Sequence, residues 1–221
     1  MKYVWRRLVA FGFRLLYNEL AWLYDPVSWL VSKGQWRRWG LALWPWLPAS
    51  GRVLEIGPGP GHLLADLATA GYEATGLDLS AAMLRLARHR LRRRGLPARL
   101  CRGCAEALPF ALGTFDAVLL TFPTALVYDP ACLEESARVL RPGGRLLVVE
   151  MATLSGHSPL DAGLEWLYCA TGQRGPTPDL PGLLRAASLD ACREQVQVAD
   201  TIVSLVLADK PQTPSSSSQP R

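Results

Sequence analysis

Val53-Leu54-Glu55-Ile56-Gly57-Pro58-Gly59-Pro60-Gly61-His62 decides how this chain is read. An apolar run carrying one acid leads into three alternating glycines and then into a helical pattern. Glycine at such a junction lets the backbone turn tightly and lets a ligand approach where a Cβ would otherwise stand. The amides that open the following helix present donors and a partial positive charge to an anionic group.

From Gly51 to Glu150 short β-rich runs alternate with helical patterns, which predicts a parallel sheet with crossover helices, an α/β fold. The expected strands are Arg52 to Ile56, Glu73 to Leu77, Ala98 to Arg102, Phe115 to Thr121 and Arg145 to Glu150. The expected helices are His62 to Ala70, Ala81 to Arg94 and Pro130 to Leu140, with Pro142-Gly143-Gly144 as the turn into the fifth strand. After Met151 the pattern loosens, then recovers as a helix near Leu180 to Ser188 and β-runs at Glu194 to Val198 and Thr201 to Leu207. Only Ala199 and Asp200 separate those runs. Two residues close an antiparallel hairpin and are too few for a parallel crossover, so the sheet should finish with one antiparallel strand.

A glycine loop alone is a weak signal, and Asp78 strengthens it. It stands at the end of the second strand, where an acid accepts hydrogen bonds from both hydroxyls of a ribose. Its competing reading, the N-cap of the helix from Ala81, is better filled by Ser80.

At 221 residues and 49% hydrophobic, the chain has material for one buried core. Pro211 to Arg221 reads as a disordered tail. The net charge of +5 is carried mostly by arginine, in the N-terminal region and from Arg85 to Arg99, and it suits acidic partners: anionic lipid, nucleic acid or a phosphorylated substrate. From Ala81 onward Met83, Leu84, Ala87 and Leu91 recur near helical spacing with Arg85, Arg88, Arg92 and Arg93 between them, which favours an ordinary solvated helix face. Five cysteines form no disulfide framework and nothing reads as a signal peptide, so a reducing cytoplasm is expected. Cys101 and Cys104 make a CxxC without a second ligand pair, and no metal is expected.

Seven of the eight tryptophans fall in the first fifty residues: Trp5, Trp22, Trp29, Trp36, Trp39, Trp44 and Trp46. Val4, Leu8, Phe11 and Leu15 share one face of a possible first helix, with Lys2, Arg6, Arg7 and Arg14 on the rest. That combination suits a membrane interface and is too interrupted by charge to span a bilayer. Equally, these aromatics cap the core or line a substrate pocket. Residues 1–50 are therefore read as a helical lid and possible membrane-surface segment, and 51–210 as the ligand-binding domain.

The glycine loop, Gly76-Leu77-Asp78-Leu79-Ser80, the segment from Ala105 to Phe110 (AEALPF), Phe115-Asp116-Ala117-Val118 and the segment from Leu140 to Glu150 together resemble class I S-adenosylmethionine-dependent methyltransferases of the ubiquinone/menaquinone C-methyltransferase-like (methyltransferase type 11) group. The resemblance covers roughly Tyr17 to Lys210. It implies a Rossmann-like sandwich with a mostly parallel seven-stranded sheet, a final antiparallel strand and helices on both faces. It implies S-adenosylmethionine as cofactor, with Gly57, Gly59 and Gly61 around its methionine moiety, Glu55 bracing the loop or reaching the amino group, and Asp78 on the ribose. Leu79 and Met83 would pack against adenine with Ala105 at its edge, Thr121 and Phe122 would lie near the sulfonium, and Tyr24 matches a lid tyrosine. One departure stands out: the family usually has Gly-Asp-Ala where this chain has Gly103-Cys104-Ala105, so the aspartate that commonly takes the adenine amino group is missing and Cys104 occupies its place.

Methyl transfer from a sulfonium needs alignment and exclusion of water more than a dedicated nucleophile. Candidate bases are scattered: Tyr128, His157, Glu150 and Asp25. The acceptor is expected to be a small molecule or lipid, quinone-like or a phospholipid, with peripheral contact to anionic membrane. A nucleic-acid acceptor is disfavoured, because Phe122-Pro123-Thr124 follows Thr121 where a base-clasping Asn/Asp-Pro-Pro-aromatic box would stand. Two other classes compete: a nicotinamide-dependent oxidoreductase, which needs glycine where His62 stands, and a non-catalytic adaptor keeping the fold at a membrane.

Overall fold

The computed structural model describes residues 2–123, 125–154, 159–171 and 178–212. Its seven strands are β1 (Arg52–Ile56), β2 (Glu73–Asp78), β3 (Leu100–Arg102), β4 (Phe115–Thr121), β5 (Leu140–Leu154), β6 (Asp190–Val198) and β7 (Thr201–Asp209). They form one sheet in the order β3-β2-β1-β4-β5-β7-β6. Strands β1 to β5 pair in parallel, whereas β7 runs antiparallel to both β5 and β6. Val198 pairs with Thr201 across the two-residue turn, in which Ala199 takes a positive φ of 51°. The order of the strands reverses between β1 and β4, and the carboxyl ends flanking that point are where open α/β sheets bind ligands.

The helices are α1 (Lys2–Tyr17), α2 (Tyr24–Val31), α3 (Trp36–Leu41), α4 (His62–Thr69), α5 (Ala81–Arg93), α6 (Pro130–Val139), α7 (Pro159–Ala170) and α8 (Leu180–Ala186). Alternation in the central strands explains why both faces of the sheet are covered. Leu119, Leu147 and Val149 point into a cluster with Trp39, Leu64 and Leu67 under α3 and α4, joined by Leu164 and Tyr168 of α7. Val118, Leu120, Leu146 and Val148 point into a second cluster with Leu133, Val139, Leu180 and Leu184 under α6 and α8. Helix α5 is capped by Ser80, whose hydroxyl accepts from the Met83 amide at 3.2 Å, and it buries Ala82, Met83, Leu84, Ala87 and Leu91.

Most boundaries fall within a residue or two of those expected, and the larger differences are in β3, β5 and β6. Strand β3 begins at Leu100 because only Gly76, Leu77 and Asp78 offer it partners at the sheet edge. Strand β5 runs on to Leu154, past Glu150, because β7 continues to pair with it as far as Thr201. Pro142-Gly143-Gly144 does not separate helix from strand but forms an irregular opening to β5, where the Gly143 amide donates to the Lys210 carbonyl and the Gly144 carbonyl accepts from the Lys210 amide, each at 2.9 Å. Strand β6 starts at Asp190, since its pairing with β7 extends to Asp209.

Leu119 is fully buried between β1 and β5 in the middle of the sheet. Leu119→Ala should lower stability by about 2–5 kcal/mol through lost transfer energy and an unfilled cavity. Urea denaturation monitored by circular dichroism measures this, and a loss below about 1 kcal/mol would mean that the site collapses around the deletion.

Candidate functional site

The glycine loop crosses the carboxyl ends of β1 and β2. Gly57, Gly59 and Gly61 all adopt positive φ, at 70°, 52° and 78°. The Gly57 amide donates to the Leu77 carbonyl at 2.8 Å, and Gly61 donates to the Pro58 carbonyl at 2.9 Å. A Cβ on Gly61 would stand 2.8 Å from the Cβ of Ala87, so this glycine is what lets α5 close on the start of α4. A Cβ on Gly57 would meet nothing within 4 Å: the backbone there faces open space.

Asp78 holds the loop from the far side. One carboxylate oxygen accepts from the Gly59 amide at 3.3 Å and the other from the Ser80 amide at 2.8 Å. Ser80 in turn donates its hydroxyl to the Tyr17 carbonyl at 2.5 Å, so the end of α1 is tied to the same turn. Burial raises the Asp78 carboxyl above its ordinary value, against the lowering effect of the amide bonds.

Glu55 is a buried acid with an unsatisfied oxygen, Oε2, and it lines a cleft with Tyr24, Trp36, Gly57, Gly59, Thr121 and Phe122. Burial, then the nearby Asp78 and Asp66 charges, push its carboxyl up to about 8. Protonation relieves a desolvated carboxylate that has no cation opposite it. The enclosed space of the cleft is about 50 Å³.

Aromatic rings close that cleft. Phe122 is held at a positive φ of 49° just beyond β4 and stacks on Trp36 with ring centroids 4.3 Å apart; Trp39 lies 5.8 Å from the same ring. Tyr24 meets Trp36 edge-on at 6.4 Å and Tyr17 at 6.0 Å. Burial raises the Tyr24 phenol, which keeps it a neutral hydroxyl. Trp39 Nε1 is buried without a partner.

Six of the residues expected from sequence therefore meet in one cleft: Tyr24, Glu55, Gly57, Gly59, Thr121 and Phe122. Gly61 acts one step back, through its contact with Ala87. Leu79 is exposed, at 66%, and is not part of the cleft lining, while Met83 is buried against Ala21 and Ala82. Cys104 is exposed and Ala105 buried, and neither lines the cleft. All five cysteines are free thiols.

The candidate bases fare differently. Tyr128 donates to Glu150 at 3.4 Å, and Glu150 is clamped by Arg193 through two bonds of 3.1 Å, so both are held away from the cleft. Asp25 is engaged by His62 at 3.0 Å and by Arg90 at 2.6 Å, and the His62 bond chiefly holds its carboxyl below the ordinary range, which makes it a poor base. His157 lies outside the described residues. The latch of Asp25, His62 and Arg90 joins three separate elements, and the sequence offered only the adjacency of Asp25 to Tyr24 as a hint. Trp36 and Gly40, which also line the cleft, gave no signal beyond aromatic enrichment. Among the described residues no three His, Cys, Asp or Glu side chains are grouped to hold a metal.

Comparison with known proteins bears on the family and the fold. The profile of the methyltransferase-domain family matches residues 53–144. The chain is 37% identical over 180 residues to the ubiquinone/menaquinone biosynthesis C-methyltransferase UbiE of Syntrophotalea carbinolica, covering 77% of this chain and 72% of that one. It is 38% identical over 141 residues to the demethylmenaquinone methyltransferase of Thermus thermophilus, covering 61% of this chain and 64% of that one. A methyltransferase of Thermotoga maritima, described as a possible histamine N-methyltransferase, shares the fold with a TM-score of 0.57 at 22% identity, over 95% of this chain and 99% of that one. The chain belongs to the class I S-adenosylmethionine-dependent methyltransferases, in the family of the ubiquinone/menaquinone C-methyltransferases. Its cofactor is S-adenosylmethionine, and it acts as a methyltransferase on a small molecule.

The Glu55 carboxyl lies above its ordinary value, so the folded state keeps a proton that the unfolded chain releases as pH rises from about 4.5 towards 8. Its contribution to stability therefore falls across that window. Glu55→Gln should lose less stability than the parent between pH about 5 and about 8 in urea melts of the ligand-free protein. Parallel pH dependences would show Glu55 ionised in the folded state.

Proposed function

We propose that this chain methylates a small lipophilic acceptor, quinone-like or a phospholipid, presented at a membrane surface. The observation that carries the reading is where the exposed apolar side chains sit. Trp5, Leu8 and Phe11 of α1, Trp22, and Val27, Trp29 and Leu30 of α2 are all exposed, and they belong to the segment that also supplies Tyr24 and Trp36 to the cleft. Exposed apolar side chains concentrated on one basic segment suit an interface of headgroups and acyl chains. No helix among the described residues is long and apolar enough to cross a membrane.

The residues present fit S-adenosylmethionine, which when bound supplies a methyl group already activated on a sulfonium. The unpartnered Oε2 of Glu55 is suited to accept from its ammonium, and the positive charge would draw the Glu55 carboxyl back down and ionise it. The open backbone at Gly57 admits the methionine moiety, and Asp78, already fixed by two amides, has lone pairs left for ribose hydroxyls. The exposed Leu79 offers an apolar face to adenine. Thr121 and Phe122 form the wall from which the acceptor approaches, and Trp36 and Tyr24 exclude water from it.

Asp78→Ala should weaken binding of S-adenosylmethionine and S-adenosylhomocysteine by about 1.5–3 kcal/mol in calorimetric titration, because hydrogen bonds to a charged group are removed. Unchanged affinity would place the ribose elsewhere. Deleting Met1 to Phe13 should reduce binding to anionic vesicles more than it reduces cofactor affinity. Equal vesicle binding by the deleted and intact chains would remove the membrane part of the reading and leave the methyltransferase intact.

A further inference from the structure

A second cleft, of about 470 Å³, lies between the lid and α5. One face of α5 forms its floor: Leu86, His89, Arg90 and Arg93 fall at helical spacing, and Arg94 follows. Trp22, exposed, stands over it, and Asp25 and Pro60 close the inner wall. Three guanidinium groups thus face a single carboxylate, and that carboxylate is already shared between His62 and Arg90. Arg94 approaches Asp66 at 3.4 Å, but Asp66 is also held by Arg37 through bonds of 2.7 and 2.8 Å. Among the described residues Arg93 has no carboxylate within ion-pair distance. The cleft is therefore cationic beyond what its own acids neutralise.

We propose that this cleft seats the phosphate of an anionic phospholipid headgroup. Guanidinium forks match phosphate oxygens in pairs and hold a phosphate more specifically than a diffuse charge. Tryptophan beside such a group belongs at headgroup depth. The exposed side chains of α1 and Trp22 place the apolar part of the bilayer on the same segment. The seat also lies next to the chemistry. Tyr24 lines the cofactor cleft while its neighbour Asp25 lines the cationic one, and Pro60 touches both. A bound phosphate competes with Asp25 for Arg90, so lipid arrival loosens the latch that holds α2 on α4 and α5. The inference rests on the membrane-acceptor reading above and adds to it a defined headgroup site.

The test compares Arg93→Glu with Arg92→Glu in the full chain, by co-sedimentation with phosphatidylcholine vesicles containing phosphatidylglycerol. Arg92 carries the same charge on α5 but does not line the cleft. Both substitutions reverse one charge, so diffuse attraction, about fivefold per unit of charge, lowers the two alike. A seat at Arg93 should instead make Arg93→Glu weaken vesicle binding about tenfold or more beyond the loss in Arg92→Glu. Trp22→Ala, which leaves the charge unchanged, should also weaken it, and S-adenosylhomocysteine affinity should stay the same in all three. Equal losses for the two arginine variants would mean diffuse attraction and would overturn the seat. So would vesicle binding that survives Arg93→Glu, which leaves the membrane reading standing. Calorimetric binding of inorganic phosphate, or of a single-stranded oligonucleotide, that depends on Arg93 while vesicle binding does not would assign the cleft to a soluble phosphate or a nucleic acid instead. A parent protein that binds no vesicles at all removes the membrane reading and the seat together.

Discussion

The close approach of Gly61 to Ala87 is the constraint on which the rest of the site depends. With a methyl group on residue 61 standing 2.8 Å from the Ala87 Cβ, α5 would have to move off the start of α4. Ser80 caps α5, and its amide is one of the two that fix the Asp78 carboxylate; the other belongs to Gly59 in the same loop. Helix packing, loop conformation and the orientation of the acid are therefore one arrangement. The loop has positive φ at three glycines, and its amides are held by Leu77, Asp78 and Pro58.

Onto this base the N-terminal segment is attached by polar contacts along its length. Ser80 binds the Tyr17 carbonyl, Asp25 binds His62 and Arg90, and the Tyr168 hydroxyl donates to the Val31 carbonyl at 2.7 Å. Gln35 and Lys33 donate to Asp200, and Arg37 donates to Asp66 through two bonds. Trp39 and Leu43 sink into the core beside Leu64 and Leu67, and a row of rings runs from Phe13 through Tyr17, Tyr24 and Trp36 to Phe122. Polar anchors, buried side chains and aromatic contacts thus join the segment to both the glycine loop and the sheet.

The legibility of the chain follows from how local each signal is. Strand β1 and the start of α4 were readable because the glycine loop announces both, and the antiparallel pairing of β6 with β7 followed from the two residues between them. The far end of β5 was not readable, because Met151 to Leu154 are strand only through their partners on β7, some fifty positions later. In the site, Glu55, Gly57, Gly59, Thr121 and Phe122 follow one another along adjacent strand ends, and their meeting could be anticipated from a parallel sheet. The surroundings of Met83 were not readable either: helical spacing marks it as a buried position of α5, but its packing against Ala21 joins residues some sixty positions apart. Asp25 with Arg90 is a contact across sixty-five positions, and no periodicity reports on such a pair.

The small size of the cofactor cleft bears on water. The space among Tyr24, Trp36, Thr121 and Phe122 is about 50 Å³, room for only a few water molecules beside the Glu55 carboxyl. Where so little water stands, a positive charge brought in loses most of its hydration and finds in Glu55 the oxygen that replaces it. The same scarcity of water protects a reactive carbon from hydrolysis before its intended acceptor arrives.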